Sequence, residues 1–141
     1  MKRELFDADH DLFRESVAEF LKREVVPFHA QWEKDGIVPR EVWVKAGTVG
    51  LLGHGVPEEF GGTGLHDYRY NQIVNEEICR AHASGLGITL QNDVMAPYMV
   101  GLTTDEQKRR WLPGFASGEL ITAIAMTEPG TGSDLQGIRT S

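Results

Sequence analysis

Apolar residues recur at helical spacing through most of the first 119 positions. Phe13, Val17, Phe20, Leu21 and Val25 fall at i, i+4, i+7, i+8 and i+12, one stripe that leaves Arg14, Glu15, Glu19, Lys22 and Arg23 mostly outside it. Asp9 or Asp11 is expected to cap this helix, and Pro27 to end or kink it. A short continuation carries Phe28 and Trp32 and stops at Gly36, a residue suited to the left-handed position after a helix. Pro39 suits the first position of the next helix, whose face is Val42, Trp43 and Ala46 and whose end is expected at Gly47. Residues 50–64 hold six glycines and one proline, too many breakers for a regular element. Leu51, Leu52, Val56 and Phe60 nevertheless give that stretch the means to anchor on a core, so it reads as an ordered loop.

Asp67 then caps a helix bearing Tyr70, Ile73, Val74, Glu77, Ile78 and Ala81. Ser84 is expected to cap another, running through Leu90, Met95, Tyr98 and Met99 with a kink at Pro97. Thr104 and Gln107 make a capping box for a further helix that carries Trp111 and Leu112 and meets Pro113. The texture changes near Glu119. Residues 120–127 are rich in β-branched side chains and read as a strand, followed by a turn-rich segment. The expectation is an all-α bundle over residues 1–119, followed over residues 120–141 by the first strand of a β-domain that is not completed.

Composition narrows the function. Of 141 residues, 40% are hydrophobic and 25% charged, which describes a globular chain. The 14 Lys and Arg against 21 Asp and Glu give a net charge of −7 with no basic block, which argues against nucleic-acid binding. No apolar run approaches the roughly 20 residues that span a bilayer, and the first five residues lack the apolar core of a signal peptide. Cys79 is the single cysteine, so a disulfide within the chain is excluded and a reducing, cytoplasmic setting is expected. The five histidines show no metal-ligand spacing, and no metal is expected. Phe20, Trp32, Trp43 and Trp111 read as core aromatics, and Glu76 and Glu77 as solvated or internally paired carboxylates.

The segment that carries chemistry is Ala123-Ile-Ala-Met-Thr-Glu-Pro-Gly-Thr-Gly-Ser-Asp-Leu-Gln-Gly137. Gly130 and Gly132 flank Thr131 and precede Ser133, so backbone N–H groups can converge on an anion while the two hydroxyls add donors. Pro129 stiffens the approach. Taken alone, these residues read more readily as an ordinary Gly/Ser/Asp turn, and Thr127 as a β-former on a half-buried strand. It is not a phosphate-binding loop of the Gly-Lys-Ser/Thr kind, and Leu135 stands where a dinucleotide fingerprint needs its third glycine.

The full stretch resembles the first signature of the acyl-CoA dehydrogenase family. Phe20-Leu-x-x-Glu-Val-Val-Pro27, Trp32-Glu-Lys34, Gly50-Leu-Leu-Gly53, Val56-Pro-Glu-Glu-Phe-Gly-Gly-x-Gly64, Glu76-Glu77 and Gln107-Lys-x-x-Trp-Leu-Pro113 are similar to its N-terminal helical domain, with wording most like the long-chain branch. The resemblance implies FAD as cofactor and α,β-dehydrogenation of an acyl-CoA thioester, in which a glutamate takes the α-proton and the β-hydrogen leaves as hydride to flavin N5. It further implies that Ile124, Ala125, Met126, Thr127, Glu128, Pro129, Gly130, Thr131, Gly132 and Ser133 lie against the cofactor. Ser133 would also approach the acyl-CoA, and Gln91, Met95 and Met99, at i, i+4 and i+8, would border the acyl-chain tunnel or simply pack in the core. The family's catalytic glutamate has no counterpart here, so no catalytic residue is assigned. The chain is expected to be an N-terminal fragment, inactive alone, of an enzyme that passes electrons to an electron-transfer flavoprotein and assembles as a homo-oligomer, a tetramer. An acyl-CoA oxidase, a flavin monooxygenase or a non-catalytic helical interaction module are the alternatives.

Overall fold

A computed structural model describes residues 4–140; residues 1–3 and Ser141, the outer ends of the two expected units, lie outside it. The described chain is helical, as the apolar spacing predicts. Helix α1 spans Ala8–Glu24, α2 Val26–Asp35, α3 Arg40–Thr48, α4 Tyr68–Arg80, α5 Ala96–Gly101 and α6 Asp105–Ser117. The cap of α1 is Asp7, whose carboxylate accepts the Asp9 and His10 amides, while Asp9 and Asp11 sit in the first turn beside the positive helix end. Pro27 lies in the first turn of α2, where its missing N–H costs nothing, so the expected break falls at Val25. Gly36 ends α2 in the left-handed conformation, φ 72°. Pro39 is the cap of α3 rather than its first residue, and α3 runs through Gly47 to Thr48.

Two apolar clusters hold the helices. Val17, Phe20, Leu21, Val25, Trp43, Ile73, Val74 and Ile78 are among the buried residues of the first, where α1 packs along α4. Arg14 bridges the same pair of helices: its guanidinium lies 2.9 Å from Glu76 and 2.6 Å from Glu77, and Arg80 also pairs with Glu77. The adjacent carboxylates therefore converge on one arginine instead of diverging. The second cluster gathers Val56, Ala96, Met99, Leu112, Phe115 and Ala116, with Phe60 and Met95 half-buried against it. Leu51, Leu52 and Val56 anchor the glycine-rich loop as expected.

Three expectations change. Ser84 begins a single 3-10 turn, Ser84–Leu86, and residues Leu90–Met95 form a π-helical stretch in which the Ala96 amide donates to the Gln91 carbonyl five residues back. The wide turn delivers Pro97 into the first turn of α5, where a missing donor is harmless. Helix α6 opens on the Thr104–Gln107 capping box but continues through Pro113 to Ser117. An interior proline costs about 3 kcal/mol, and burial of Leu112 and Phe115, each contributing about 1.5–3 kcal/mol, offsets that cost. Finally, residues 120–127 are extended but form no strand, since no second extended segment lies beside them among the described residues; the β-pairing there is an isolated Glu128–Thr131 bridge.

Glycine is required where α3 meets the end of α6. A Cβ on Gly47 would fall 2.2 Å from the Ser117 carbonyl oxygen, and one on Gly118 2.1 Å from the Trp43 carbonyl oxygen. Both obstacles are backbone, so neither can swing aside. Gly47→Ala should therefore destabilise the fold by about 1–3 kcal/mol, read as a lower midpoint in urea with an unchanged slope; an unchanged midpoint would refute the close approach.

His54 is buried with Nε2 2.9 Å from the Gly50 carbonyl oxygen and Nδ1 3.2 Å from the Asn71 amide oxygen. Burial pushes it below the ordinary imidazole value of 6.5, against the pull of those two acceptors. The unfolded chain then binds the proton more readily, so stability falls as pH drops below about 6.5. Thermal melts from pH 7.5 to 5 should show that slope, and His54→Gln should flatten it.

Candidate functional site

The chain leaves α6 by a fixed route. The Leu120 amide donates to the Gly114 carbonyl at 2.8 Å. Gln91, 1% exposed, then takes hold of the segment: its Nε2 donates to the Phe115 and Leu120 carbonyls at 3.1 and 3.3 Å, and its Oε1 accepts from the Thr122 amide and hydroxyl at 3.1 and 3.3 Å. Ile121 packs on the first cluster. Beyond this clamp Ile124 is half-buried, while Ala125, Met126 and Thr127 lie exposed in an extended run.

The run ends in a tight turn. Glu128 and Thr131 exchange two backbone hydrogen bonds of 3.0 Å across Pro129 and Gly130. The Glu128 carboxylate accepts from the Arg139 amide at 3.1 Å, the Thr140 amide at 2.9 Å and the Thr140 hydroxyl at 2.5 Å. Those donors, the Thr140 hydroxyl first, hold Glu128 below the usual carboxylate range. It thus fastens the returning chain and is occupied as an acceptor, which does not suit a general base. Thr131 is 5% exposed, and its hydroxyl faces the gap left by Gly137, where a Cβ would lie 2.9 Å away. Pro129, Gly130, Gly132 and Ser133 stay exposed, and a Cβ at either of the last two glycines' positions (Gly130 or Gly132) would meet nothing within 4 Å. The loop therefore offers an uncovered backbone edge with the Ser133 hydroxyl beside it.

Gln91, Met95 and Met99 pack within the bundle. Met99 is buried in the second cluster, Met95 half-buried against it, and Gln91 is engaged by the clamp. None of them borders the cavity of about 300 Å³ between α4 and α5, whose apolar walls include Leu65, Ala96, Pro97 and Val100. Asp93 lies on that cavity and is fixed by the Asn71 and Asn75 amides, each at 2.6 Å. Sequence reasoning missed this group; the Asn71–Asn75 pair at i, i+4 is the signal that shows it. Tyr68, also on the cavity, has its phenol pushed above the ordinary value by burial, with the Asp93 charge adding to it.

The sequence profile of the acyl-CoA dehydrogenase N-terminal domain matches residues 7–119. The chain belongs to the acyl-CoA dehydrogenase family. It is 48% identical over 139 residues to the long-chain specific acyl-CoA dehydrogenase, mitochondrial, of Sus scrofa, covering 99% of this chain and 32% of that protein. The crystal structure of an acyl-CoA dehydrogenase from Geobacillus kaustophilus superposes with a TM-score of 0.89 at 44% identity, covering 97% of this chain and 36% of that one. That of a Bacillus anthracis acyl-CoA dehydrogenase complexed with FAD gives 0.76 at 32%, covering 99% and 24%. The chain thus spans about a third of the length of the curated relative it matches. The resemblance to the family and to its long-chain branch, and the helical architecture expected from it, are borne out. No helix among the described residues is long and apolar enough to cross a membrane.

Glu128→Gln should release the return segment while leaving the helices intact. In NMR spectra the Arg139 and Thr140 amides should lose their downfield, protected character with unchanged far-UV circular dichroism. In the parent chain the Thr140 amide shift should titrate with a midpoint below 4.5, because the depressed carboxylate gives up its bonds only as pH falls through its own value.

Proposed function

We propose that this chain is the N-terminal helical domain (residues 1–119) and the first cofactor-facing segment (residues 120–141) of an FAD-dependent acyl-CoA dehydrogenase. The observation that carries the reading is the exposed run Ala125 to Thr127 with the exposed loop positions Pro129, Gly130, Gly132 and Ser133, held by Gln91 before it and by Glu128 within it. The residues present fit a flavin nucleotide. A flat ring with polar edges needs extended backbone with free donors and acceptors, which Ile124, Ala125, Met126 and Thr127 provide. A pyrophosphate needs close backbone approach and hydroxyl donors, which Gly130, Gly132 and Ser133 provide. Pro129 and Glu128 stiffen that loop, and Thr131, turned inward, supports its shape.

When bound, FAD supplies the hydride acceptor for the β-hydrogen, while a carboxylate outside this chain takes the α-proton. In this reading the Thr127 hydroxyl donates to a polar atom of the ring, and Ser133 donates to pyrophosphate and to the thioester side of acyl-CoA. The acyl tail runs along α5, where the walls at Ala96, Pro97 and Val100 leave apolar room and Met95 and Met99 form a deformable backing. Gln91 acts there by holding residues 120–122 in register. A long-chain acyl-CoA is the proposed substrate, an electron-transfer flavoprotein the electron acceptor, a homotetramer the assembly and the cytoplasm the compartment.

The full-length protein should purify yellow and bleach when a long-chain acyl-CoA is added without oxygen. Thr127→Val should slow bleaching by about tenfold or more without loss of helical circular dichroism. Colourless protein or unbleached flavin refutes the proposal. Reoxidation by oxygen rather than by an electron-transfer flavoprotein would make it an oxidase or monooxygenase instead.

A further inference from the structure

The cavity of about 300 Å³ between α4 and α5 is apolar along Leu65, Ala96, Pro97 and Val100, yet Asp93 stands on its wall. Two amides hold that carboxylate: the Asn71 Nδ2 donates to its Oδ1 and the Asn75 Nδ2 to its Oδ2, each at 2.6 Å. Asn71 is oriented in turn by His54, whose Nδ1 lies 3.2 Å from the Asn71 Oδ1 and whose Nε2 lies 2.9 Å from the Gly50 carbonyl oxygen. The carboxylate is therefore fixed in place. It is half-buried and not sealed, so a molecule in the cavity can meet it. Its charge is what the fold leaves unmatched. Asp67, the other carboxylate on the lining, is gripped by the Arg69 guanidinium, with Nε 2.9 Å and Nη2 2.5 Å from its Oδ2. Asp93 has only neutral amides, and no Lys or Arg lines the cavity; His66 lines it too, exposed. Burial pushes His54, behind Asn71, below the ordinary imidazole value, so that ring brings no charge at neutral pH. Burial and then the Asp93 charge keep the Tyr68 phenol protonated.

A carboxylate accepts about four hydrogen bonds, so two amides and a neighbouring phenol leave room for a further donor. A hydroxyl carried in among apolar walls loses its water and needs an acceptor there, and Asp93 supplies a charged one. A second carboxylate brought to the same place would face a like charge with no cation between them. A plain methyl end gains contact with the walls and nothing more. Resting on the dehydrogenase reading above, in which the acyl tail runs along α5, we propose that Asp93 selects the acyl chain by its far end: it favours an acyl-CoA that carries a terminal hydroxyl and rejects one that carries a terminal carboxylate. The hydroxyl donates to Asp93 while the methylene groups behind it lie along Ala96, Pro97 and Val100.

Two measurements test this. In the full-length holoenzyme, rate constants for flavin bleaching without oxygen are compared for plain, ω-hydroxy and ω-carboxy acyl-CoA thioesters over a series of chain lengths. At the length that fits, the hydroxyl should raise the rate constant over the plain chain by about three- to tenfold, and the carboxylate should lower it by about tenfold or more. Asp93→Asn should erase both differences, whereas His66→Gln should leave the order as it is. A loss shared equally by all three thioesters in Asp93→Asn would make Asp93 a structural residue and overturn the proposal. The second measurement needs no flavin. Octanol added to this chain should give saturable NMR shifts at the Asn71 and Asn75 side-chain amides and the Val100 methyl groups, octanoate should give none, and Asp93→Asn should weaken the octanol response. Absence of the octanol shifts, an equal response to octanoate, or no preference for the hydroxyl at any chain length would each overturn the proposal. Failure of the plain thioesters to bleach the flavin is a separate result, which refutes the dehydrogenase reading and this proposal with it.

Discussion

A buried, uncharged side chain fastens the helical domain to the segment proposed to face the cofactor. Gln91 is buried where α6 ends, and its amide makes four contacts with the chain as it passes from Phe115 to Thr122. Extended backbone outside a sheet needs partners for its amides and carbonyls, and among the described residues no neighbouring strand supplies them. Gln91 takes that place for the first residues of the segment. The π-helical turn that carries it matters too, since that turn lets Pro97 follow without breaking the helix. The exposed run at Ala125, Met126 and Thr127 begins where the reach of this amide ends.

The bundle beneath is held by a different balance. Arg14, little exposed, stands between α1 and α4 with two carboxylates in reach, and Arg80 shares one of them. Such a group contributes less to net stability than its short distances imply, because its charges have left water. It does restrict how the two helices pair, since any other alignment would leave a half-buried charge alone. The apolar clusters supply the larger stabilisation, and Gly47 and Gly118 let α3 and α6 approach at backbone distance.

Much of this was legible in residue order. The helices, the anchoring of the glycine loop by Leu51, Leu52 and Val56, the Asp67 and Thr104 caps and the left-handed Gly36 follow from local rules that act within a few residues. Where such rules erred, a distant partner had intervened. Pro113 reads as a stop, but Leu112 and Phe115 are buried by other segments and carry the helix past it. Gly47 reads as an end, yet it is a contact point for Ser117. Residues 120–127 have strand propensity, but a strand needs a neighbour, and propensity does not supply one.

By itself the sequence determined the family and the helical class and singled out the segment proposed to meet the cofactor, because periodicity, caps and a long uninterrupted signature are local properties of the chain. Tertiary structure alone decided that Glu128 fastens the loop, that Thr131 turns inward, that Gln91 is a clamp and that His29 is buried against Gly85. Those roles depend on residues brought together from far along the chain, and the distances between them exist only after folding.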